Sequence, residues 1–394
     1  MSAHVLTLNA GSSSLKFGVF ALAEGPEPRA AGLIERIGGS PALHLRDAAG
    51  TAIAPGEDPA GATDQAGAVG LVLRLVARHF PDGEIAAVGH RVVHGGPDHA
   101  GPARLSDDVL AGLERFVPFA PLHQPHNLAG ARAARAAFPE ALQVACFDTS
   151  FHRNHPWVND TFALPRRFYD RGVRRYGFHG LSYDYIAGEL ARSAPLLHSG
   201  RVVVAHLGNG ASMCGLLGGR SVASTMGFSA LDGLPMGTRC GQLDPGVVLY
   251  LMDQEGMTTA ELADLLYLES GLKGLSGMAN DMRALEASEA PAAREAIDYF
   301  TFRIRRELGG LAAALGGLDA LVFCGGIGEN SRLVRAEVCR GMQWLGIELD
   351  RARNEANARI ISADLSRTHV MVIPTDEEIV IARAAAAMLG EGAA

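Results

Sequence analysis

The sequence begins with the segment His4-Val-Leu-Thr-Leu-Asn9-Ala-Gly-Ser-Ser-Ser14-Leu-Lys-Phe-Gly-Val-Phe20, in which two apolar runs flank a turn of small residues. This pattern predicts a β-hairpin, followed by a third strand near residues 31–37. The second half opens in a similar way, because Arg201-Val-Val-Val-Ala-His206 precedes the turn Leu207-Gly-Asn-Gly-Ala-Ser212 and a new strand at 213–217. Two such openings predict an internally duplicated protein.

Helices and strands alternate after each of these openings. Helices are predicted at residues 65–80, 107–115, 127–138 and 376–389, and strands at 142–147, 320–323 and 370–373, with another strand ending in the run 89–96. A long helix carries an apolar stripe at steps of three and four residues, formed by Ile297, Phe300, Ile304, Leu308, Leu311 and Leu315, which predicts a core-facing side. The predicted fold class is therefore α/β, with two similar halves and a cleft between them.

The length of the chain, 394 residues, indicates about two domains. The predicted division places residues 1–148 and the C-terminal helix 376–394 in one domain, and residues 149–375 in the other. Hydrophobic residues make up 48% of the chain and charged residues 20%, which is typical of a globular protein. The net charge of -8 argues against nucleic acid as a partner, since serial phosphate contacts need a basic surface.

The cysteines and the apolar segments indicate where the protein resides. The five cysteines are odd in number, scattered and without a CxxC pair, so neither a disulfide framework nor a zinc site is predicted and a reducing cytoplasm fits best. The N-terminus lacks the basic and apolar regions of a signal peptide. The most apolar stretch, residues 308–328, is rich in glycine and interrupted by Asp319, so we predict no membrane span.

Three turns of small residues follow predicted strands, at residues 9–14, residues 208–212 and Gly325-Gly-Ile-Gly-Glu-Asn330. Backbone N–H groups in such turns can approach an anion because no side chain blocks the way. None of the turns has the GxxxxGK[ST] pattern of a P-loop or the GxGxxG pattern of a dinucleotide fold. A plain tight turn is the alternative for each one alone, but three in one chain favour nucleotide binding.

Charged residues stand beside these turns or among glycines. Lys16 follows the first turn, where it either reaches a phosphate or is solvated. Arg91 and Arg239 lie in glycine-flanked runs, and a planar guanidinium can grip a carboxylate or phosphate through two N–H groups. Asp148 and Glu377 end or follow strands. Mg²⁺ takes one or two carboxylates together with phosphate oxygens and waters, so this pair would suffice for a magnesium site.

Most of the 14 histidines are expected to be structural or exposed. His179, in Arg175-Tyr-Gly-Phe-His-Gly180, and His206, at a strand end, are the better candidates for phosphate contacts. The run His123-Gln-Pro-His126 has the spacing of two metal ligands, but its proline disfavours a helical metal face, so zinc is not predicted.

Taken in order, these motifs resemble the acetate kinase family from Val5 to about Arg383. The matching runs are residues 8–17, 89–96, 120–123, 147–149, 175–180, 206–212, 236–246, 325–330 and 374–378. The resemblance implies the fold of the actin, Hsp70 and sugar-kinase superfamily, with two RNase-H-like α/β domains and ATP in the cleft between them. It also implies a homodimer and the use of Mg²⁺, with Mn²⁺ as an alternative.

The resemblance also implies roles for individual residues, position by position. It makes the N-terminal domain the acyl-substrate side and the C-terminal domain the nucleotide side. The implied catalytic residues are Asp148, His179 and Arg239, and the implied acyl-substrate contacts are Arg91, Val93, Leu122 and Ala230. The implied metal-site residues are Asn9 and Glu377. The implied ATP contacts are Lys16, His206, Leu207, Gly208, Asn209, Gly210, Asp281, Met282, Arg283, Gly325, Gly326, Ile327, Gly328 and Glu329.

The chain departs from the family pattern at several positions. The family usually reads GTRSGDLDP where this chain has Cys240 and Gln242, and YGFHGTSH where it has Leu181 and Tyr183. Asn280 replaces a usual small residue. A proline expected in the acyl pocket is Ala230 here, which predicts a roomier pocket and substantial use of propionate.

The implied reaction is the reversible transfer of the ATP γ-phosphate to acetate, giving acetyl phosphate and ADP by direct in-line transfer. A carboxylate is already ionised at neutral pH, so the nucleophile needs no general base. We therefore interpret Asp148 as an anchor for Mg²⁺, its water or an arginine, while an acid/base role stays open. A propionate or butyrate kinase is the nearest alternative, and a sugar kinase or an actin- or Hsp70-like ATPase is less favoured.

Overall fold

The predicted N-terminal hairpin forms between β1 (Ser2–Ala10) and β2 (Ser14–Leu22), which pair antiparallel with Asn9 opposite Lys16. The structure is a computed structural model that describes residues 2–11, 13–81 and 83–391. Ser12, part of the predicted turn, lies outside the described residues. The chain divides into two units, of which the first comprises Met1–Phe151 with Asp376–Ala394 and the second His152–Thr375.

The described part of the first unit contains a seven-stranded sheet in the order β4-β3-β2-β1-β5-β7-β6. The remaining strands are β3 (Pro26–Glu35), β4 (Ala42–Asp47), β5 (Gly83–Val92), β6 (Ala103–Arg104) and β7 (Leu142–Phe147). The hairpin side is antiparallel, whereas β1 pairs with β5 and β5 with β7 in parallel. The carboxyl ends of β1, β5 and β7 therefore lie at one edge of this sheet.

The second unit repeats this arrangement in a five-stranded sheet of order β10-β9-β8-β11-β12. Its strands are β8 (Arg201–Leu207), β9 (Ala211–Leu217), β10 (Arg220–Ser224), β11 (Ala320–Cys324) and β12 (His369–Val372). The order matches β3-β2-β1-β5-β7 strand for strand, with two antiparallel pairings followed by two parallel ones. The predicted α/β class is confirmed, and the repeated order is what a duplication would produce. The short strands β4, β6 and β10 were not predicted.

Helices connect and cover the strands in both units. The first unit contains α1 (Gln65–His79), α2 (Asp107–Glu114), α3 (Gln124–Ala137) and, from the end of the chain, α16 (Glu377–Glu391). The second unit contains α4 (Trp157–Asp160), α5 (Arg166–Asp170), α6 (Gly180–Ser193), α7 (Pro195–His198), α8 (Pro245–Asp253), α9 (Thr259–Asp264), α10 (Gly271–Ser276), α11 (Met282–Glu286), α12 (Pro291–Leu315), α13 (Gly325–Asn330), α14 (Arg332–Cys339) and α15 (Arg351–Glu355). A π-helical turn spans Leu265–Glu269, and short 3₁₀ turns lie at Pro59–Gly61, Val117–Phe119, Ser150–His152 and Gln343–Leu345.

The long helix α12 buries the stripe that the sequence predicts. All six residues of that stripe are buried where α12 packs on β8, β9 and β10. The helix ends at Gly316, whose φ of 72° is a left-handed conformation that glycine adopts without strain. In the described part of the chain, no helix is both long and apolar enough to cross a membrane.

The C-terminal helix α16 packs on the sheet of the first unit, against β1, β5 and β7. Gly89 on β5 permits this contact, because a Cβ at that position would lie 2.4 Å from Ile381 Cγ2 and 3.3 Å from the Ile381 carbonyl oxygen. The close approach places the first residue of α16, Glu377, near the edge where β5 and β7 end.

We expect Gly89→Ala to destabilise the first unit by about 1–3 kcal/mol, because overpacking forces side chains and backbone apart. Thermal unfolding followed by circular dichroism should show a lowered midpoint. Gly101→Ala is the matched control, since a Cβ there meets nothing within 4 Å. Equal midpoints for the two variants would contradict the close packing of α16 on β5.

Candidate active site

Arg91 and Asp148 form a buried ion pair at the carboxyl edge of the first sheet. Arg91 lies near the end of β5, and Asp148 directly follows the neighbouring parallel strand β7. Arg91 Nε donates to Asp148 Oδ1 at 2.9 Å, and Nη2 donates to Oδ2 at 2.7 Å. This two-bond geometry is the strongest form of arginine–carboxylate pairing. Asp148 is only 1% exposed, and both of its carboxylate oxygens accept hydrogen bonds from the guanidinium.

Two further predicted residues lie beside this pair. Asn9, at the end of β1, accepts a long hydrogen bond of 3.4 Å from Arg91 Nη1, and Glu377 Oε2 lies 3.8 Å from Arg91 Nε. Burial raises the pKa of Glu377, Arg91 acts against the shift, and Asp148 adds to it. Burial acts to lower the pKa of Arg91, but the charges of Asp148 and Glu377 outweigh it and raise that pKa.

The oxygen atoms of this cluster are suited to binding a divalent cation. Asn9 and Glu377 offer the hard oxygen donors that Mg²⁺ prefers. Burial and the charge of Asp148 raise the pKa of Glu377, and a bound cation would act in the opposite direction by favouring the ionised carboxylate. Over the described ranges, no group of three or more histidine, cysteine, aspartate or glutamate side chains is arranged to hold a metal. A cation held here would therefore complete its shell with phosphate oxygens and water.

The other predicted residues of the first unit are spread around its edge. Lys16 is exposed on β2, opposite Asn9. Val93 follows β5 and is buried, with its backbone N–H donating to Asn127 Oδ1 at 3.0 Å. Leu122 lies half-buried in the turn before α3. Ala230, the third predicted wall of the acyl pocket, belongs to the second unit and is buried there.

In the second unit, His179 is held in an unusual conformation at the start of α6. Its φ of 57° is left-handed, a region that few residues other than glycine occupy and that marks functional or strained positions. The imidazole Nδ1 lies 2.8 Å from Ser212 Oγ. The ring stacks on that of His206, with 4.3 Å between the ring centroids. Hydrogen bonding and stacking together fix the ring.

Arg239 is likewise held by its surroundings. It is 9% exposed, and its Nη1 donates to the carbonyl oxygen of Ala230 at 2.6 Å. A Cβ added to Gly210 would lie 2.8 Å from Arg239 Nη2 and 3.2 Å from His179 Nε2. Both groups therefore approach Gly210 so closely that a side chain there would not fit, and one nitrogen atom of each lies near the same point of the backbone.

A cleft of about 730 Å³ lies in the second unit and gathers many of the predicted ATP contacts. The predicted residues that line it are Gly208, Asn209, Asp281, Met282, Arg283, Gly326 and Ile327. Its size is within the range of small-molecule sites. Gly237 lies in the loop that carries Arg239. A Cβ at Gly237 would lie 2.1 Å from Asn209 Oδ1 and 3.1 Å from the Asn280 carbonyl oxygen, so this loop packs closely against two residues that line the cleft.

Four more of the predicted ATP residues belong to the second unit without lining the cleft, namely Leu207, Gly325, Gly328 and Glu329. Leu207 and Gly328 are buried, and the left-handed φ of 75° at Gly325 brings it so close to the Leu207 carbonyl that only glycine fits. Glu329 Oε1 accepts from the backbone N–H groups of Gly325 at 2.9 Å and Thr375 at 3.1 Å. The Glu329 carboxylate is thus a backbone clamp.

Sequence reasoning missed several residues of the site. Glu286 and Ser331 also line the cleft, and nothing in the sequence signalled them. Asn280 and Asn330 line it too. Asn280 was noted as a departure from the family pattern and Asn330 ends the third small-residue turn, but neither was assigned a role. Ser212, which contacts His179, ends the small-residue turn of the second hairpin. Its place in that turn was the only feature of the sequence that pointed to it.

The chain matches the model of the acetokinase family over residues 4–383. It is 59% identical to an acetate kinase from Methylocella silvestris over 403 aligned positions that cover 100% of both chains. The chain belongs to the acetokinase family.

Solved structures of family members have the same fold. The crystal structure of an acetate kinase from Porphyromonas gingivalis superimposes with a TM-score of 0.87 at 35% identity, covering 98% of this chain and 100% of that one. A propionate kinase from Francisella tularensis gives a TM-score of 0.90 at 32% identity, with coverages of 98% and 99%. These matches confirm the predicted two-domain, actin-like fold class.

One departure from the family pattern changes the electrostatics around the Arg239 loop. Arg303 and Arg306 both donate through Nη2 to the single amide oxygen of Gln242, at 2.6 Å for Arg303. Glu307 supplies a carboxylate to both arginines at 3.7 and 3.4 Å. The Arg303 side chain is 9% exposed, and its Nε lacks a hydrogen-bond partner among the described residues. A neutral oxygen thus stands where the family pattern has a carboxylate.

We expect Gln242→Glu to stabilise the protein, because the variant keeps the side-chain length and turns two hydrogen bonds from guanidinium groups to a neutral oxygen into ion pairs. A gain of about 1 kcal/mol would raise the thermal midpoint by roughly 2–4 °C. Gln343→Glu, at an exposed position of the same unit, controls for the added charge. An unchanged or lowered midpoint in Gln242→Glu would show that the two arginines are not short of negative charge.

Proposed function

We propose that this chain is an acetate kinase that transfers the γ-phosphate of ATP to the carboxylate of acetate, reversibly, giving acetyl phosphate and ADP. The observation that carries the proposal is the full-length identity of 59% to an acetate kinase, together with the presence of Arg91, Asp148, His179 and Arg239. We also propose that the second unit binds ATP or ADP through its cleft, and that the first unit supplies Arg91, Val93 and Leu122 to acyl binding.

The chemistry asks the protein for positive charge and hydrogen-bond donors. The acetate carboxylate is ionised at neutral pH, so no group has to remove a proton from it. The barrier lies in bringing two anions together and in stabilising charge on the phosphoryl oxygens. His179 and Arg239, which converge beside Gly210, would donate to the phosphoryl group. Arg91 would grip the carboxylate of the acyl substrate.

Asn9 and Glu377 would hold a divalent cation, Mg²⁺ or alternatively Mn²⁺. When bound, the cation neutralises charge on the nucleotide phosphates. Lys16, on the strand opposite Asn9, would add a further positive charge. Asp148 would act as the anchor of Arg91, since both of its carboxylate oxygens accept hydrogen bonds from that guanidinium.

We propose that the protein acts as a homodimer in the cytoplasm. Helix α8 supports a dimer, because none of its residues is buried and several are large and apolar. The exposed apolar residues of α8 are Val247, Leu249, Tyr250 and Met252. Several large apolar side chains exposed on one helix are more typical of a subunit interface than of a solvated surface. A second copy of the chain is the occupant that the family resemblance implies.

Propionate is the second candidate substrate, and Ala230 is the observation that favours it. Alanine stands where the family pattern places proline, so one wall of the acyl pocket lacks the ring carbons. The carbonyl oxygen of this residue holds Arg239, and proline would offer the same carbonyl. The substitution is therefore expected to change the volume of the pocket without releasing the arginine.

The decisive assay measures acyl phosphate formed from ATP and each of acetate, propionate and butyrate, trapped with hydroxylamine, together with ADP release in the presence of glucose. We expect hydroxamate from acetate and from propionate, with kcat/KM for propionate within about tenfold of that for acetate, since one methylene is worth only about 1–3 kcal/mol even in a tight pocket. ADP release with glucose, and no hydroxamate from any fatty acid, would overturn the proposed function.

The variant Ala230→Pro is the matched test of selectivity within that assay. Restoring the proline should lower kcat/KM for propionate more than that for acetate. If the native enzyme already uses propionate a hundredfold less well and the proline changes nothing, this wall does not set the selectivity.

Asp148→Asn should lower kcat by about 10²–10³, because the guanidinium of Arg91 loses its charged partner and its fixed orientation. For an anchoring role we expect a higher KM for acetate, a higher Mg²⁺ requirement and a pH–rate profile of unchanged shape. Asp107→Asn, an exposed aspartate of the same unit, is the control. Loss of one limb of the profile with an unchanged Mg²⁺ requirement would instead identify Asp148 as an acid or base.

A further inference from the structure

Two buried hydroxyl groups lead by hydrogen bonds to the half-buried imidazole of His179. Tyr183, on the first turns of α6, is fully buried, and its hydroxyl lies 2.5 Å from Ser212 Oγ. Ser212 is also fully buried, and its Oγ lies 2.8 Å from His179 Nδ1. Tyr183 is one of the departures from the family pattern, which has histidine at this position. The tyrosine hydroxyl that contacts Ser212 is therefore a feature of this sequence.

The number of protons shared by Tyr183, Ser212 and His179 restricts which group donates and which accepts in each hydrogen bond. A serine hydroxyl donates one hydrogen bond, and a neutral imidazole has one donor nitrogen and one acceptor nitrogen. Burial raises the pKa of Tyr183 well above its ordinary value, and Cys214 adds to the shift while the bond to Ser212 opposes it. The tyrosine hydroxyl therefore keeps its proton at neutral pH and can donate it to Ser212 Oγ.

Once Tyr183 donates to Ser212, the serine proton is available for His179 Nδ1. Nδ1 is then the acceptor, and the imidazole proton lies on Nε2. This nitrogen lies on the side of the ring that faces Gly210, 3.2 Å from the position that a Cβ would take, and Arg239 Nη2 lies 2.8 Å from the same position. In the opposite tautomer, Nε2 would present a lone pair to an anion that approaches His179 and Arg239, and the two would repel each other.

We propose that Tyr183 is a positioning residue which, through Ser212, holds His179 in the neutral tautomer that carries its proton on Nε2. The inference rests on the proposed function, in which His179 donates to the phosphoryl group during transfer. The ring is held in the required orientation by its stacking on His206 and by the left-handed backbone at His179. Tyr183 does not itself touch the reacting atoms in this proposal.

A purely structural role for Tyr183 makes a different prediction. If the ring only fills the core, removing the hydroxyl leaves the packing intact and does not affect the proton on His179. Tyr176 provides a matched comparison, because it is also fully buried in the second unit and its hydroxyl donates to the Gly172 carbonyl oxygen at 2.7 Å. Tyr176→Phe therefore removes a bonded, buried hydroxyl that is not bonded to Ser212.

The experiment uses the full-length protein labelled with ¹⁵N-histidine, in which two-bond ¹H–¹⁵N correlations distinguish the two neutral tautomers. The His179 signals are assigned from their loss in His179→Gln. We expect the native protein and Tyr176→Phe to show the proton on Nε2. Tyr183→Phe and Ser212→Ala should show a mixture of tautomers. In Tyr183→Phe, kcat should fall about tenfold, with KM for ATP within about twofold, as expected when one transition-state donor is partly misprotonated.

Two results would overturn the proposal. One is a native protein with the His179 proton on Nδ1, which needs no variant to observe. The other is a folded Tyr183→Phe protein, with a thermal midpoint close to that of Tyr176→Phe, whose His179 tautomer matches the native one. Because the tautomer is read without substrate, a failure of this proposal is distinguishable from a failure of acyl phosphate formation in the hydroxylamine assay.

Discussion

The parallel pairing of β1 with β5 and of β5 with β7 is the constraint on which the first half of the site depends. Parallel neighbours end at the same edge of a sheet, and residues at their carboxyl ends meet there. Asn9, Arg91 and Asp148 each stand at or just past such an end. The second unit obeys the same rule, since β8 and β11 are parallel and lead into the turns that begin at Gly208 and Gly325. One topological rule, used twice, thus produces an acidic and cationic cluster in one unit and a nucleotide-sized cleft in the other.

Burial gives these charges their effect. An arginine–carboxylate pair in water contributes little, whereas the Arg91–Asp148 pair is largely removed from solvent and joined by two hydrogen bonds. Burial also raises the pKa of neighbouring Glu377, and the charge of Asp148 adds to that shift. In the second unit, Arg239 and His179 are held by neutral partners, a backbone carbonyl and a serine hydroxyl.

The departures from the family pattern fall around these groups and leave the groups themselves unchanged. Tyr183 and Gln242 both replace residues whose side chains can carry charge, and each now offers a neutral polar group. Tyr183 acts on His179 through Ser212, while Gln242 lies three residues beyond Arg239 and is contacted by two arginines. Ala230 changes a side chain and keeps the carbonyl that Arg239 requires. The sequence therefore differs from the family pattern around the proposed reacting groups but has the same residues at those groups.

The sequence by itself determined the α/β class, the repeated hairpin openings and the apolar face of α12, because alternation and helical spacing are local properties. It also identified the glycine turns and the charged residues beside them, and the ordered motifs were sufficient to recognise the family. Only the tertiary structure decided which side chains meet. Asp148 and Arg91 are 57 positions apart and Ser212 and His179 are 33 apart, and no local pattern encodes either contact. The short strands β4, β6 and β10 were missed for the same reason, since pairing with a neighbour more than intrinsic preference makes such segments into strands. The bond between Tyr183 and Ser212 exists because folding brings distant polar groups into a dry interior where each one needs a partner. The half-buried clamp of Glu329 on the backbone of Thr375 likewise joins groups that are distant in the sequence.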